Sequence, residues 1–306
     1  MKILVCQELG LDLRVPPERD LASRRVRAEW SVCRVKPADA RALDLALSLR
    51  IGRPEIEIIL VHLGPQSADE WLREGLAKGA DRAVRIWDEE AAEARTQGAA
   101  VILAAAGAAL ECDLALLGTP GPLGAGGQIG VLVAEALGTC CVTQAGDIGW
   151  GEGGRLLIER SLVRGWRERV SAPLPAVVTV SPAEADTRDI PVAARLRAAT
   201  ADITVWSLAD LGVPLARIRQ ADSALHTTLP RAPRPKLHPL TAPDSSLPAF
   251  DRILKLVRGA VTRREERLVR AGGEEAAEEL FQLLRDEGWL DHLRRGPSTV
   301  ESHLRP

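Results

Sequence analysis

The sequence predicts an α/β protein: a mostly parallel sheet with helices on both faces, an antiparallel extension, and a helical C-terminal tail. Three observations carry that reading. Apolar runs of strand length alternate with helix-like segments up to about residue 140, and IEIILVHLG (56–64) is a nearly continuous apolar run, as a strand covered on both faces requires. After Thr139 four strand-like segments follow one another with no helix between them. Beyond residue 248 two segments carry apolar residues at the spacing of amphipathic helices.

Taken in order, KILVCQEL opens as a strand and WSVCRV (30–35) reads as a second. PADARALDLALSLR places Ala40, Leu43 and Leu47 at helical spacing. Pro37 suits its first turn, where a missing N–H loses no bond. SADEWLREGLAKG predicts a helix with Ser67 as N-cap and Glu70 completing a capping box. ADRAVRIW reads as a strand, TQGAAVILAAAGAAL as a helix of small residues, CDLALLG as a buried strand, and QIGVLVAEALG as a helix ended by Gly138. CCVTQAGDIGW, GRLLIERSLV, GWRERVSA and PAVVTVSP are expected to form the antiparallel extension, with turns at 149–154 and Gly165. Six of the nineteen residues from 230 to 248 are proline, which favours extended backbone over a packed core. The tail helices carry Phe250, Ile253, Leu254, Val257 and Val261 on one face, then Ala277, Leu280, Phe281 and Leu284 on another. Two short helices of this kind are expected to dock on the main domain or on a partner. The boundaries expected are a nucleotide-binding domain over 1–213, a Pro-rich arm over 214–248 and a helical extension over 249–306.

Composition excludes several classes. A net charge of −2 provides no field that would draw the chain to nucleic acid or an anionic membrane. Eleven basic residues in 249–306 are matched by eleven acidic ones, so the tail is not a polybasic arm. No run has the length of a membrane span and Met1 leads straight into a strand, so a cytoplasmic protein is expected. The five cysteines (Cys6, Cys33, Cys112, Cys140, Cys141) are odd in number and lack any C-x-x-C spacing, which reads as buried thiols rather than a disulfide framework or zinc site. His62 ends a buried strand and the other four histidines lie in the tail, none spaced as a metal pair. There is no G-x-S-x-G elbow and no tyrosine. No catalytic residue and no metal ligand is assigned: the sequence describes a protein that holds something rather than one that attacks something.

What it holds is addressed by LLGTPGPLGAGGQIGVLVAEALG (116–138), which leaves a buried strand at the sheet's carboxyl edge and enters a helix. Glycines allow positive φ and close backbone approach, and a helix N-terminus favours an anion. The loop has no Lys-Ser or Lys-Thr and is not a P-loop. Gly124, Gly126 and Gly130 do form G-x-G-x-x-x-G, with Asp147 roughly twenty residues on, near the distance of a ribose-binding acid. Spacing alone therefore leaves open a non-redox adenine-nucleotide-binding regulatory module, an NAD-dependent dehydrogenase and an inert turn.

Several segments in order, KILVCQE, KPADARALDLALSLR, VHLGP, LREGLAKGADRAVRI, DLALLGTP, GQIGVLVAEALG, ERSLVRGWRERV, LPAVVTV and DITVWSLADLGV, resemble the β subunit of electron-transfer flavoprotein over roughly 1–213. The resemblance implies a Rossmann-like, adenine-nucleotide-hydrolase-like domain that buries AMP, or in some relatives a second FAD. It also implies pairing with an FAD-bearing α subunit, the heterodimer shuttling electrons between a dehydrogenase and a quinone reductase or other acceptor. The chemistry would then be the flavin's, with the protein supplying position and electrostatics. By position it implies nucleotide contacts at Cys6, Lys36, Pro37, Ala38, Asp39 and Leu63, and along the loop at Gly118, Thr119, Gly121, Gly124, Gly126, Gly127, Gln128 and Ile129. Docking of redox partners falls to Arg188, Val192 and Leu196. The chain departs from the family pattern at Lys36, where an Asn is usual, and at Pro122 to Ala125, where acidic residues are usual.

Overall fold

In the computed structural model, the described residues are 1–12, 14–16, 18, 20, 26, 31–119, 127–182, 189–223, 245–258 and 272–286. They fall into two units, Met1–Arg231 and Ala232–Pro306. The first begins with β1 (Lys2–Cys6), β2 (Leu9–Leu11), β3 (Cys33–Val35), α1 (Pro37–Leu49), β4 (Glu57–Leu63) and α2 (Asp69–Lys78). It continues through β5 (Arg82–Ile86), α3 (Thr96–Ala109), β6 (Leu114–Gly118), α4 (Ile129–Leu137) and β7 (Cys140–Trp150). It closes with β8 (Leu156–Ser161), β9 (Arg167–Ala172), β10 (Ala176–Val180), α5 (Val192–Ala199), β11 (Thr204–Trp206) and α6 (Leu215–Asp222). The second unit holds α7 (Ala249–Arg258) and α8 (Gly273–Asp286).

One sheet organises the first unit, in the order β11-β5-β4-β1-β6-β10-β7-β8-β9. The seven strands from β11 to β7 are parallel, and β8 and β9 add antiparallel. This is the expected mostly parallel sheet with an antiparallel extension, with two corrections to its membership. PAVVTV is not the last strand of the extension: as β10 it runs parallel between β6 and β7, with all five residues buried. Complete burial suits that place, because a central parallel strand has no solvent face. WSVCRV does not join the main sheet either. Its strand residues, β3, pair antiparallel with β2 in a separate two-stranded ribbon.

Two apolar layers sandwich the sheet. On one face Ile3, Val5, Leu60 and Leu116 meet Leu43 and Leu47 of α1 and Leu72 of α2. On the other, Leu4, Val61 and Leu117 meet Ile102 and Leu103 of α3, Val133 of α4 and Ile218 of α6. The alternation of sides along β1 is the period-two geometry of a strand. Pro37 stands at the first position of α1 as expected. The Ser67 capping box does not form: residues 66–68 make a short 3₁₀ turn and α2 starts at Asp69 with no side-chain cap. There Asp69 Oδ1 accepts from Arg85 Nε at 2.7 Å, a nearly buried ion pair that fixes α2 to β5. The stretch expected to begin an extended arm at residue 214 instead forms α6, whose Ile218 is buried. The first tail helix is described only as far as Arg258, so Val261 lies outside the described residues.

Leu60 is wholly buried in a central strand. Leu60→Ala is expected to lower stability by about 2–5 kcal/mol, read as a drop in the urea midpoint with little change in slope.

Candidate functional site

The connection from β1 runs to β4 on one side, and that from β5 returns past β1 to β6 on the other. A crevice must open where the winding reverses, between the carboxyl ends of β1 and β6. The cleft found there has a volume of about 360 Å³. Cys6, Val61, Leu63, Leu117 and Gly118 line it from the strand ends. Lys36 and Asp39 come from α1 and Ile129 from α4, while Trp87, Ala91, Ala94, Arg95, Thr96, Ala99 and Leu103 build the far wall.

Asp39 holds the crevice together. Its Oδ2 accepts the Glu8 N–H at 2.9 Å and its Oδ1 accepts the Gly118 N–H at 2.7 Å, so one carboxylate ties the exits of β1 and β6. Only glycine fits opposite it: a Cβ on Gly118 would collide with Asp39 Oδ1 and lie 2.7 Å from the Asp39 nitrogen. Burial pushes the Asp39 carboxyl up to about 7, against the two N–H bonds that favour its ionised form. Burial also raises the Cys6 thiol far above its usual range, with Asp39 adding to the effect, so Cys6 presents a neutral thiol. Lys36 Nζ meets Glu8 Oε2 at 2.6 Å beside the cleft.

The far wall is fixed from β11. Trp87 N–H donates to the Trp206 carbonyl at 2.9 Å. Asp88 accepts from the Ala91 N–H at 2.6 Å with one oxygen and from the Leu208 N–H at 2.7 Å with the other. The helix termini along this edge differ in charge. Asp39 lies in the first turn of α1, and Asp69 and Glu70 in that of α2. Asp222 of α6 accepts from the opening amides of α3. The α4 terminus has no acidic residue in its first turn and no side-chain cap at Gln128. Gly127, immediately before it, has φ 65°.

Of the residues expected to touch a nucleotide, Cys6, Lys36, Asp39, Leu63, Gly118 and Ile129 line the cleft. Pro37 opens α1 and Ala38 is buried. Thr119 turns to β10, bonding the Val180 carbonyl through its N–H at 2.8 Å and its Oγ1 at 2.7 Å. Gly127 and Gln128 lead into α4, whereas Gly121, Gly124 and Gly126 lie outside the described residues. Val192 and Leu196 stand one helical turn apart on α5, 72% and 68% exposed; Arg188 lies outside the described residues. Asp147 is not a ribose acid beside this cleft: it sits in the antiparallel half of β7, opposite Glu159. His62 is buried, its Nδ1 donating to the Gln7 carbonyl at 2.7 Å, and burial lowers its pKa. Sequence reading missed the far wall, Trp87 to Leu103. Its one signal was that β5 ends at the same sheet edge as β1 and β4.

An open, doubly wound sheet with its cleft at the reversal point is the architecture of a Rossmann-like α/β protein. A family model described as electron transfer flavoprotein domain matches residues 29–211. Over 217 residues, 70% of this chain and 80% of the relative, the chain is 31% identical to "Caffeyl-CoA reductase-Etf complex subunit CarD" of Acetobacterium woodii. It is also 31% identical over 170 residues, 55% of this chain and 64% of the relative, to "Electron transfer flavoprotein subunit beta" of Methylophilus methylotrophus. The chain belongs to the electron-transfer flavoprotein β-subunit family. The family match ends before α6, α7 and α8. Among the described residues no helix is long and apolar enough to cross a membrane.

A carboxyl whose pKa is higher in the fold than in the open chain contributes most below its unfolded value and loses that contribution as pH rises through the folded one. With Asp39 raised from 3.8 to about 7, the stability of the native protein relative to Asp39→Asn should fall between pH 4 and 7 and level off above. Urea unfolding of both proteins across pH 4–8 measures it; a constant difference contradicts it.

Proposed function

We propose that the cleft holds an adenine nucleotide, AMP or the adenylate half of a second FAD. The chain would pair with an FAD-bearing α subunit and carry electrons between a dehydrogenase and a quinone reductase or other acceptor. The observation that carries the nucleotide reading is the bare α4 terminus. Of the helices that follow β3, β4, β5 and β6, the first three, α1, α2 and α3, each meet a carboxylate of the chain itself, while among the described residues α4 meets none. Its first amides and positive dipole end lie beside the cleft through Ile129, which suits a phosphate. Trp87, Leu63, Ala99 and Leu103 offer the apolar surface that a planar base requires. The cleft volume lies toward the lower end of the usual range for ligand pockets, roughly 300–1,000 Å³, which favours a mononucleotide.

Membership in the family supports the redox half of the reading, and the names of both relatives are those of flavoprotein-complex subunits. FAD, when bound between the subunits, supplies the electron transfer itself. The residues of this chain bind and orient. Buried Cys6 offers no reactive thiolate, and the cleft lining is mainly apolar, so water is kept from the bound base. The exposed pair Val192 and Leu196 on α5 is the apolar anchor by which a redox partner would dock.

A carboxylate at the α4 terminus should compete with the ligand while still suiting the helix. Gln128→Asp should therefore leave the far-ultraviolet spectrum unchanged and reduce co-purifying nucleotide, measured by chromatography of the denatured complex, about ten-fold or more. Undiminished nucleotide content removes α4 from the site. Val192→Asp should keep the nucleotide and slow reduction by the partner dehydrogenase several-fold; an unchanged rate removes α5 from the docking surface.

A further inference from the structure

His62 does not line the cleft, yet it holds a peptide that does, the one joining Gln7 to Glu8. It lies in a buried polar row across the carboxyl ends of β1, β4 and β5. Gln7 follows the paired Cys6 and Val61, His62 comes next on β4, and Arg85 stands opposite His62 on β5. His62 Nδ1 is 2.7 Å from the Gln7 carbonyl oxygen. A carbonyl only accepts, so Nδ1 carries the proton and donates it. The amide of the same peptide unit, the Glu8 N–H, donates to Asp39 Oδ2 at 2.9 Å. One peptide plane is therefore gripped at both of its polar ends, by an imidazole and by a carboxylate. The other Asp39 oxygen accepts the Gly118 N–H at 2.7 Å, which carries the chain of bonds on to the exit of β6. The ring has its place because Gly64 has no side chain: a Cβ there would collide with His62 Nε2 and lie 3.2 Å from Cε1.

Hydrogen bonds linked head to tail polarise one another. Donation from His62 makes the Glu8 N–H a stronger donor to Asp39 and fixes the direction in which it points. We propose that His62 is a positioning residue of the cleft, clamping the Gln7–Glu8 peptide so that its N–H stays on Asp39 and its backbone stays in the ligand's wall. In its ligand-binding part the proposal rests on the adenylate reading. Charge is not the means by which the ring acts. Burial lowers the His62 pKa, so the ring is neutral near neutral pH, and the ionic groups that face it, Glu8, Arg85 of β5 and Asp69 of α2, do not depend on it. The groups that face Asp39 are Glu8, Lys36 and the neutral Cys6 thiol. A carboxylate whose N–H bond is weakened is less stable in its ionised form. Removing the His62 donor therefore moves the Asp39 titration upward from about 7.

Carbon-13 spectra of the Asp39 carboxyl in the full chain, assigned with Asp39→Asn, read that titration with no ligand present. His62→Leu fills the space without a donor and should raise the midpoint by about half a pH unit or more. His62→Asn restores an N–H close to the place of Nδ1 and should return the midpoint to the native value. His62→Gln, whose amide reaches toward the place of Nε2 instead, should behave like the Leu variant and serves if that variant melts early. Adenosine has no charge for Asp39 to repel, so its binding reports the wall itself. Followed by calorimetric titration, it should weaken several-fold in the Leu and Gln variants and recover in the Asn variant. An Asp39 midpoint that stays put in the Leu and Gln variants overturns the proposal. So does one that Asn fails to restore, since the bulk of the ring alone would then matter. Unchanged adenosine affinity in variants whose midpoint moves also overturns it, because the clamp would then serve the fold and not the ligand. If the native protein binds neither adenosine nor AMP, the adenylate reading itself falls, and the carboxyl titration still decides whether His62 holds the peptide on Asp39.

Discussion

The arrangement of this molecule depends on a buried carboxylate bridging two strand exits. In a doubly wound sheet, β1 and β6 are neighbours whose following chains leave in opposite directions, so the backbone amides just past each strand lose their ladder partners. Asp39 takes two of them, from Glu8 and Gly118. It can do so because α1 starts directly above the crevice and Gly118 leaves room for the carboxylate. The bridge keeps the crevice from collapsing and, when Asp39 is ionised above its raised pKa, places a negative charge at its base. An anionic ligand must therefore keep its charge away from Asp39, toward the α4 side of the opening. The interaction that builds the cleft also gives it polarity.

Much of the fold was legible because hydrophobic period and length are local properties. The run at 56–64 could only be a covered strand, and Pro37 could only open a helix or a turn. Spatial order is not local. PAVVTV follows a series of antiparallel strands, yet its five buried residues fit only between β6 and β7; the clue was uniform apolarity, which an edge extension with one solvated face would not show. Ser67 failed as a cap because the ion pair of Asp69 with Arg85 sets where α2 begins, and a long-range contact of that kind leaves no trace in a four-residue motif.

The site divides along the same line. Residues at the ends of β1 and β6 and at the starts of α1 and α4 were foreseeable, since a glycine-rich loop after a buried strand marks the carboxyl edge. The far wall was not. Trp87 and Leu103 belong to the segment between β5 and β6, and they reach the cleft only because the chain crosses the sheet there. Asp222 was less visible still: its function as a cap comes from a helix more than a hundred residues away in a region rich in proline. Capping patterns read from sequence assume that cap and helix are contiguous, and here they are not.

The two ends of the sheet solve a different problem. An edge strand exposes unpaired amides and carbonyls and invites another strand to add. β9 is such an edge, and its neighbour β8 faces it with charge: Arg160 meets Glu168 at 3.0 Å and Arg167 meets Glu159 at 2.6 Å across the ladder. These exposed pairs add little stability, but a sheet end carrying alternating Arg and Glu is a poor template for an apolar strand. At the other end β11 has only three residues, too short to seed much pairing. Protection of both edges directs association to side chains rather than backbone. The apolar exposure on α5, at Val192 and Leu196, then becomes a surface on which a partner gains by burial without extending the sheet. The cleft is separate from that surface, since neither residue lines it. Under the function proposed above, a chain that keeps one small ligand while large partners come and go would need that separation, because docking at α5 would leave the Asp39 bridge and the α4 terminus undisturbed.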